Sequence, residues 1–323
     1  MKKMFWMLGV AVAALTSCTN DEVVEVNQSN LIKFESFVNK GTRAVTDVTT
    51  PSEDGGLSKF YVFGYHGNTS DFTNEEVNKQ DDKWSYGTDY KYWTISQYYF
   101  GAYADANSPE QLTNVSFSDA KLTFTDYAIT DTKDLVAAIA SVNVTGLESA
   151  PTAVSLDFKH MLSKIQFTFT NKYNLEGVTM DISNLTISAI QKTGTCVYDG
   201  TNAAWELSST VGATTTNLKN ETGIAINATY SDNFFVIPQT ISDEFVVGFK
   251  VTYKSGNEVV GEKTYSGIKL NNTTLTEWEE GYLYNYTADL PLSPNVIEFS
   301  VTVTGWETTD VSDKETDSED IEF

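Results

Sequence analysis

The chain is poor in the side chains on which most enzymes and cofactor proteins depend. Its 323 residues hold two His, two Cys and a single Arg. So few His and Cys leave a multi-ligand zinc, haem or iron–sulfur site without its usual ligands. Neither His66 nor His160 has a carboxylate and a nucleophile at a recognisable catalytic spacing. Gly-rich phosphate loops, HExxH and GxSxG are all absent. The expectation is a non-enzyme with no catalytic residues, no metal site and no cofactor. Basic residues are scarce as well: 21 Lys and Arg face 44 Asp and Glu, a net charge of −23. That balance excludes nucleic acid held through its phosphate backbone. No stretch keeps a 3.6-residue period over ten or more residues. What the chain does have is 41% apolar and 13% aromatic residues, ample for folded cores. At roughly 150 residues per domain the length predicts about two domains.

The first segment reads as an address. Lys2 and Lys3 precede an apolar run from Phe5 to Leu15, then Thr16, Ser17 and Cys18, the pattern of a secretory signal. The run is too short to span a bilayer, which takes about 20 residues. Leu15-Thr16-Ser17-Cys18 resembles a bacterial lipobox, which makes residues 1–18 a signal peptide and Cys18 the lipidated residue. The alternative is a plain secreted protein with an incidental cysteine. Asp21 and Glu22 just beyond resemble the export signal of Bacteroidetes surface lipoproteins. With Cys18 acylated, Cys196 has no disulfide partner; within the strand-like Gly194 to Tyr198 it reads as a buried free thiol.

The lone Arg43 lies in Asn39-Lys40-Gly41-Thr42-Arg43-Ala44, a small, polar stretch typical of exposed loops that proteases cut. An Arg-specific protease could cut this chain only between Arg43 and Ala44. Just upstream, residues 31–38 alternate apolar Ile32, Phe34 and Val38 with polar neighbours, the signature of a half-buried strand. Residues 19–43 thus read as a propeptide with a removable strand. Its departure would expose a sheet edge and an apolar groove, a template for another chain's strand. The competing reading takes Arg43 as an ordinary surface residue in a chain that prefers Lys.

From Leu57 onward, short alternating runs are separated by Gly, Asn, Asp and Ser clusters, the pattern of β-sandwiches. Strands are expected over Lys59–Tyr65, Gln97–Ala104, Lys121–Tyr127, Leu135–Ser141, Ala153–Phe158, Lys164–Thr170, Met180–Ile190, Asn233–Ile237, Glu244–Tyr253, Glu258–Tyr265, Tyr282–Leu290 and Val296–Thr304. Lys254-Ser255-Gly256-Asn257 reads as a hairpin turn, with Gly256 and Asn257 able to take positive φ. Gly146 to Pro151 is the best linker candidate, dividing the body into residues 44–150 and 151–306. The aromatic stretch Trp84, Tyr86, Tyr90, Tyr92, Trp93, Tyr98, Tyr99 and Phe100 reads either as a sugar-stacking surface or as core packing, and packing is favoured. Residues 307–323 form an acidic tail, with eight acids and one Lys in seventeen residues, expected to be solvated.

Taken together, these motifs resemble the fimbrillin family of Bacteroidales, the type V pilins. The likeness rests on the lipobox ending at Cys18, Gly41-Thr42-Arg43-Ala44, Phe60 to Tyr65, Asp134 to Ala138, Phe158 to Ile165, Phe235 to Gln239, and the closing Trp278 to Tyr286 and Ile297 to Trp306. The resemblance implies an all-β fold of two transthyretin-like β-sandwich domains in tandem. It implies export as an outer membrane lipoprotein precursor, cleavage after Arg43 by an Arg-specific protease, and assembly into a cell-surface fimbrium that serves adhesion. Partners are then other fimbrial subunits through strand exchange, the outer membrane through the lipid before cleavage, and a host or bacterial receptor. The tail offers only Val311, Ile321 and Phe323 amid acids as a donor strand, which favours a tip or accessory subunit over a shaft subunit. The alternative is a surface-anchored glycan-binding lipoprotein without proteolytic maturation, contacting sugar through Trp84, Tyr92 or Trp93.

Overall fold

A computed structural model describes residues 30–38, 57–80, 83–105, 110–130, 133–173, 175–208, 216–217, 220–270, 275–290 and 297–305. Cys18, Arg43, Ala44 and the acidic tail lie outside the described residues. The chain is all-β, as expected. The strands of the first half are β1 (Phe34–Val38), β2 (Lys59–His66), β3 (Thr69–Gln80), β4 (Lys83–Tyr86), β5 (Ser96–Asp105), β6 (Val115–Ser118), β7 (Lys121–Ala128) and β8 (Leu135–Val144). Then follow β9 (Val154–His160), β10 (Ser163–Asn171), β11 (Val178–Ile187), β12 (Thr193–Tyr198), β13 (Ala203–Leu207), β14 (Thr216–Asn217), β15 (Glu221–Ile224) and β16 (Thr229–Val236). The last are β17 (Gln239–Thr240), β18 (Val246–Ser255), β19 (Glu258–Lys269), β20 (Glu277–Trp278), β21 (Tyr282–Leu290) and β22 (Ser300–Gly305).

Local sequence explains the strands. β9, β10 and β18 bury every second residue, as their alternating apolar side chains require. The hairpin between β18 and β19 forms where expected, with Ser255 opposite Glu258. Gly256 takes φ +60°, whereas Asn257 is not among the positive-φ residues. That leaves one left-handed position, of which only the glycine makes use.

Three hydrophobic clusters organise the sheets. A seven-stranded sheet runs in the order β1-β9-β8-β5-β2-β3-β4, and its two ends approach each other where β1 meets β4. Its inner face, with Phe60, Phe100 and Phe158, forms one core. Its outer face, with Tyr61, Tyr103 and Leu135, packs with Phe124, Cys196 and Tyr198 into a second core. Phe124 belongs to β7, and Cys196 and Tyr198 to β12, in a second sheet ordered β13-β12-β7-β6. Covering on both faces explains why β5 is buried at every position from Phe100 to Asp105 instead of alternating. The remaining core lies between the sheet β16-β10-β21-β22 and the sheet β14-β11-β18-β19.

The stretch Gly146 to Pro151, expected as a linker, lies between β8 and β9. Leu147–Ser149 forms one 3₁₀ turn, and β9 beyond it returns to the first sheet beside β8 and β1. β12, further along, pairs with β7. The division expected at residues 150/151 therefore does not coincide with a division of sheets. Small residues and proline there mark a turn, and turn chemistry alone does not reveal which sheet the next strand joins.

Candidate functional site

A strand is present within residues 31–38, as β1 and its approach. Its alternation places Ile32 and Phe34 in the core, at 0% and 5% exposure, while Lys33 and Glu35 face out. β1 pairs with β9 in parallel, from Phe34 opposite Val154 to Val38 opposite Phe158. Val38 thus lies in the strand as expected. The Val154 N–H donates to the Lys33 carbonyl at 2.7 Å, continuing the ladder backwards.

On its other flank the segment is held by the stretch after β4. The Ile32 N–H donates to the Lys91 carbonyl at 2.9 Å, and the Trp93 N–H donates to the Asn30 carbonyl at 2.8 Å. Residues 30–38 thereby close the curled first sheet like a last stave. On that flank the Asn30 carbonyl and the Ile32 N–H are satisfied, whereas β1 itself pairs with β9 alone.

Phe34 is the centre of the seat. Its ring meets Phe60, Phe72, Tyr86 and Phe100 edge-on, at centroid distances from 5.3 to 5.9 Å. Such edge-to-face pairs add about 0.5–1.5 kcal/mol each beyond the burial of the rings. Gly64 on β2 makes room: a Cβ there would fall 2.8 Å from Phe100 and 2.9 Å from Phe72. The Tyr86 hydroxyl donates to the Ile32 carbonyl at 2.8 Å and accepts the Lys91 N–H at 3.2 Å. Burial pushes its pKa up to about 12, so it stays a donor at neutral pH. Trp93 backs the seat, its indole N–H fixed by the Pro151 carbonyl at 3.1 Å.

Sequence reasoning named Ile32, Phe34 and Val38 but missed what receives them. Tyr86 and Trp93 were visible only as members of the aromatic stretch, whose favoured reading as packing agrees with the structure. Trp93 is 2% exposed, and Trp84 packs on Phe60 at 4.8 Å. Tyr92 is exposed and bridges Leu31 through its backbone. Trp84, Tyr92 and Trp93 therefore do not form one open platform for sugar.

His66, His160 and Cys196 lie elsewhere among the described residues. His66 Nδ1 lies 2.7 Å from Asp71, and His160 Nδ1 lies 2.8 Å from Asp134 in a pair sealed from solvent. Cys196 is buried and free, and burial pushes its thiol up to about 12, leaving it neutral and unreactive.

The first sheet curls until its end strands β1 and β4 approach each other, and further sheets stack beyond it. The sequence model described as fimbrillin-like matches residues 42–306, and the chain belongs to that family. Among solved structures it is similar to a fimbrial protein from Bacteroides vulgatus, at 15% identity and TM-score 0.57, covering 86% of this chain and 100% of that one. A putative cell adhesion protein from Bacteroides uniformis is similar at 18% identity and TM-score 0.53, covering 86% of this chain and 99% of that one. Another from Bacteroides ovatus matches at 14% identity and TM-score 0.52, over 87% of this chain and 99% of that one. At these identities the likeness is one of fold. No curated protein matches the sequence.

Proposed function

We propose that the chain is a structural, non-enzymatic subunit of a cell-surface fimbrium, serving adhesion. In this reading it is exported as an outer membrane lipoprotein acylated at Cys18, cleaved between Arg43 and Ala44, and assembled by β-strand exchange. The observation that carries it is β1. This strand seals the first sheet with Ile32 and Phe34 in the core, yet the only Arg of the chain stands between it and β2. Family membership supports the fimbrial role, and the family match beginning at residue 42 fits a mature chain that starts at the cut.

Once cleaved, β1 is held by hydrogen bonds and packing alone, and its exit leaves a groove with an unpaired β9 edge. A strand from the next subunit would regain the same main-chain bonds, with alternate apolar side chains setting the register. At the other end, β22 buries little and presents Val303 at 44% exposure. An acidic tail with only Val311, Ile321 and Phe323 as apolar residues makes a poor donor, which favours a tip or accessory subunit.

The test is maturation in the cell. Arg43→Ala is expected to block removal of the lipidated propeptide and incorporation into fibres, while the wild-type surface protein starts at Ala44 without lipid. Normal fibres from the mutant, or a mature wild-type protein still starting at a lipidated Cys18, would overturn the cleavage reading.

A further inference from the structure

β13 is the end strand of the second sheet, and the hydrogen bonds flanking it define which of its groups point outward. The Asp199 N–H donates to the Asn202 carbonyl at 3.3 Å, and the Ser208 N–H to the Thr193 carbonyl at 2.9 Å. Bonded and non-bonded pairs alternate along an antiparallel ladder. In the register of β12 with β13, the pairs with Ala203, Trp205 and Leu207 are therefore the non-bonded ones. Those three residues turn their N–H and C=O groups to the free edge. Among the described residues only the Ala203 N–H finds a partner there, the Glu280 carboxylate at 3.4 Å. Among the described residues no strand pairs with that edge.

Beside the edge lies a cleft of about 580 Å³ between β13 and the two-strand ribbon of β17 and β20. Trp205 and Tyr282 supply aromatic surface, Glu277, Glu279 and Glu280 supply carboxylates, and no Lys, Arg or His lines the cleft. Glu277 and Glu279 are exposed on either side of buried Trp278. The Trp278 indole N–H donates to the Tyr286 hydroxyl at 3.0 Å, which anchors that wall. The Trp205 indole N–H donates to the Met161 carbonyl at 2.9 Å, which fixes the opposite wall.

We propose that this cleft docks an extended, basic segment of a partner protein, added as a strand to β13 with Lys or Arg side chains at alternate positions against Glu277 and Glu279. The free main-chain groups of Trp205 and Leu207 provide strand addition, in which backbone bonds give affinity and alternate side chains give specificity. Glu277 and Glu279 are two residues apart, a step of about 7 Å in extended backbone. Alternate side chains of an added strand have the same spacing. The aromatic faces add cation–π attraction for the same charged groups. Like charge disfavours the chain's own acidic tail as the occupant. This site is separate from the β1 seat and does not depend on cleavage at Arg43.

The probe is a fluorescent octapeptide of alternating Lys and Val, titrated by anisotropy with the full chain at low salt. Binding at least tenfold tighter than that of the Glu–Val octapeptide, and of the Lys–Val octapeptide N-methylated at every amide, is the expected result. The double variant E277Q/E279Q is expected to weaken it at least fivefold. Leu207→Pro removes an outward N–H without breaking a ladder bond, and is expected to weaken binding with little change in melting temperature. Equal binding of the N-methylated peptide would reduce the interaction to bulk charge attraction and overturn strand addition. Unchanged affinity in E277Q/E279Q would overturn the site, and those exposed substitutions keep the test valid even where Leu207→Pro unfolds.

Discussion

β1 and β22 are both edge strands near opposite ends of the chain, yet they are held in opposite ways. β1 enters a core: its segment buries Ile32 and Phe34, gains main-chain bonds on two flanks and is ringed by four aromatic side chains. β22 pairs with β21 alone, and every one of its positions but Val301 is exposed. The contrast teaches that edge position in a sheet says little about how firmly a strand is held. Contacts on the flanks and beneath the strand decide it.

The comparison breaks most sharply at Phe34. Phe34→Ala removes the ring at the centre of the seat and is expected to cost about 3–5 kcal/mol, read as a lower urea midpoint of the uncleaved chain. If it costs no more than a surface substitution, β1 is not the firmly held strand described. Gly64→Ala forces Phe72 and Phe100 aside without touching β1 directly, and overpacking of this kind costs about 1–3 kcal/mol. Hydrogen exchange should show the loss first in the amides of residues 32–38. Tyr86→Phe leaves the ring and removes the bonds to the Ile32 carbonyl and from the Lys91 N–H, for about 1–2 kcal/mol. At the other edge, Val303→Ser should stay within about 0.5 kcal/mol. A large effect there would mean that β22 is anchored by contacts beyond those described.

A pH series sharpens the same contrast. Asp105, at the end of β5 in the first sheet, is pushed up to about 7, chiefly by burial, with the Lys133 charge opposing. Its folded-state pKa lies above the unfolded value of 3.8, so its protonated form favours the fold. That contribution is complete below the unfolded pKa and is lost as pH rises through about 7. Lowering the pH from 8 to 5 should therefore raise the protection of the first sheet relative to β22. Asp105→Asn should flatten the difference, and an unchanged pH dependence in that variant would remove Asp105 as its cause.

Much of the fold was legible because alternation is a local signal. Strands such as β9, β10 and β18 announce themselves by every second apolar residue. β3 was missed because its twelve residues bury only Phe72 and Val77 among polar neighbours. Ile32 and Phe34 were legible as buried positions, but their parallel partner β9 was not, since it lies more than a hundred residues along the chain. Pairings of such separation leave no trace in local composition. The cleft beside β13 was invisible for the same reason, since residues 203–207, 238–240 and 277–282 meet only in the folded chain.

The covalent link from β1 to β2 through residues 39–58 has a further meaning. While it is intact, β1 faces its groove at the effective concentration of a tethered segment. No free peptide outside the chain approaches that concentration easily. Any cut within the link would leave every contact in place but make the equilibrium bimolecular, so dilution alone would then favour release. The occupancy of the groove is thus governed by chain connectivity as much as by the contacts within it.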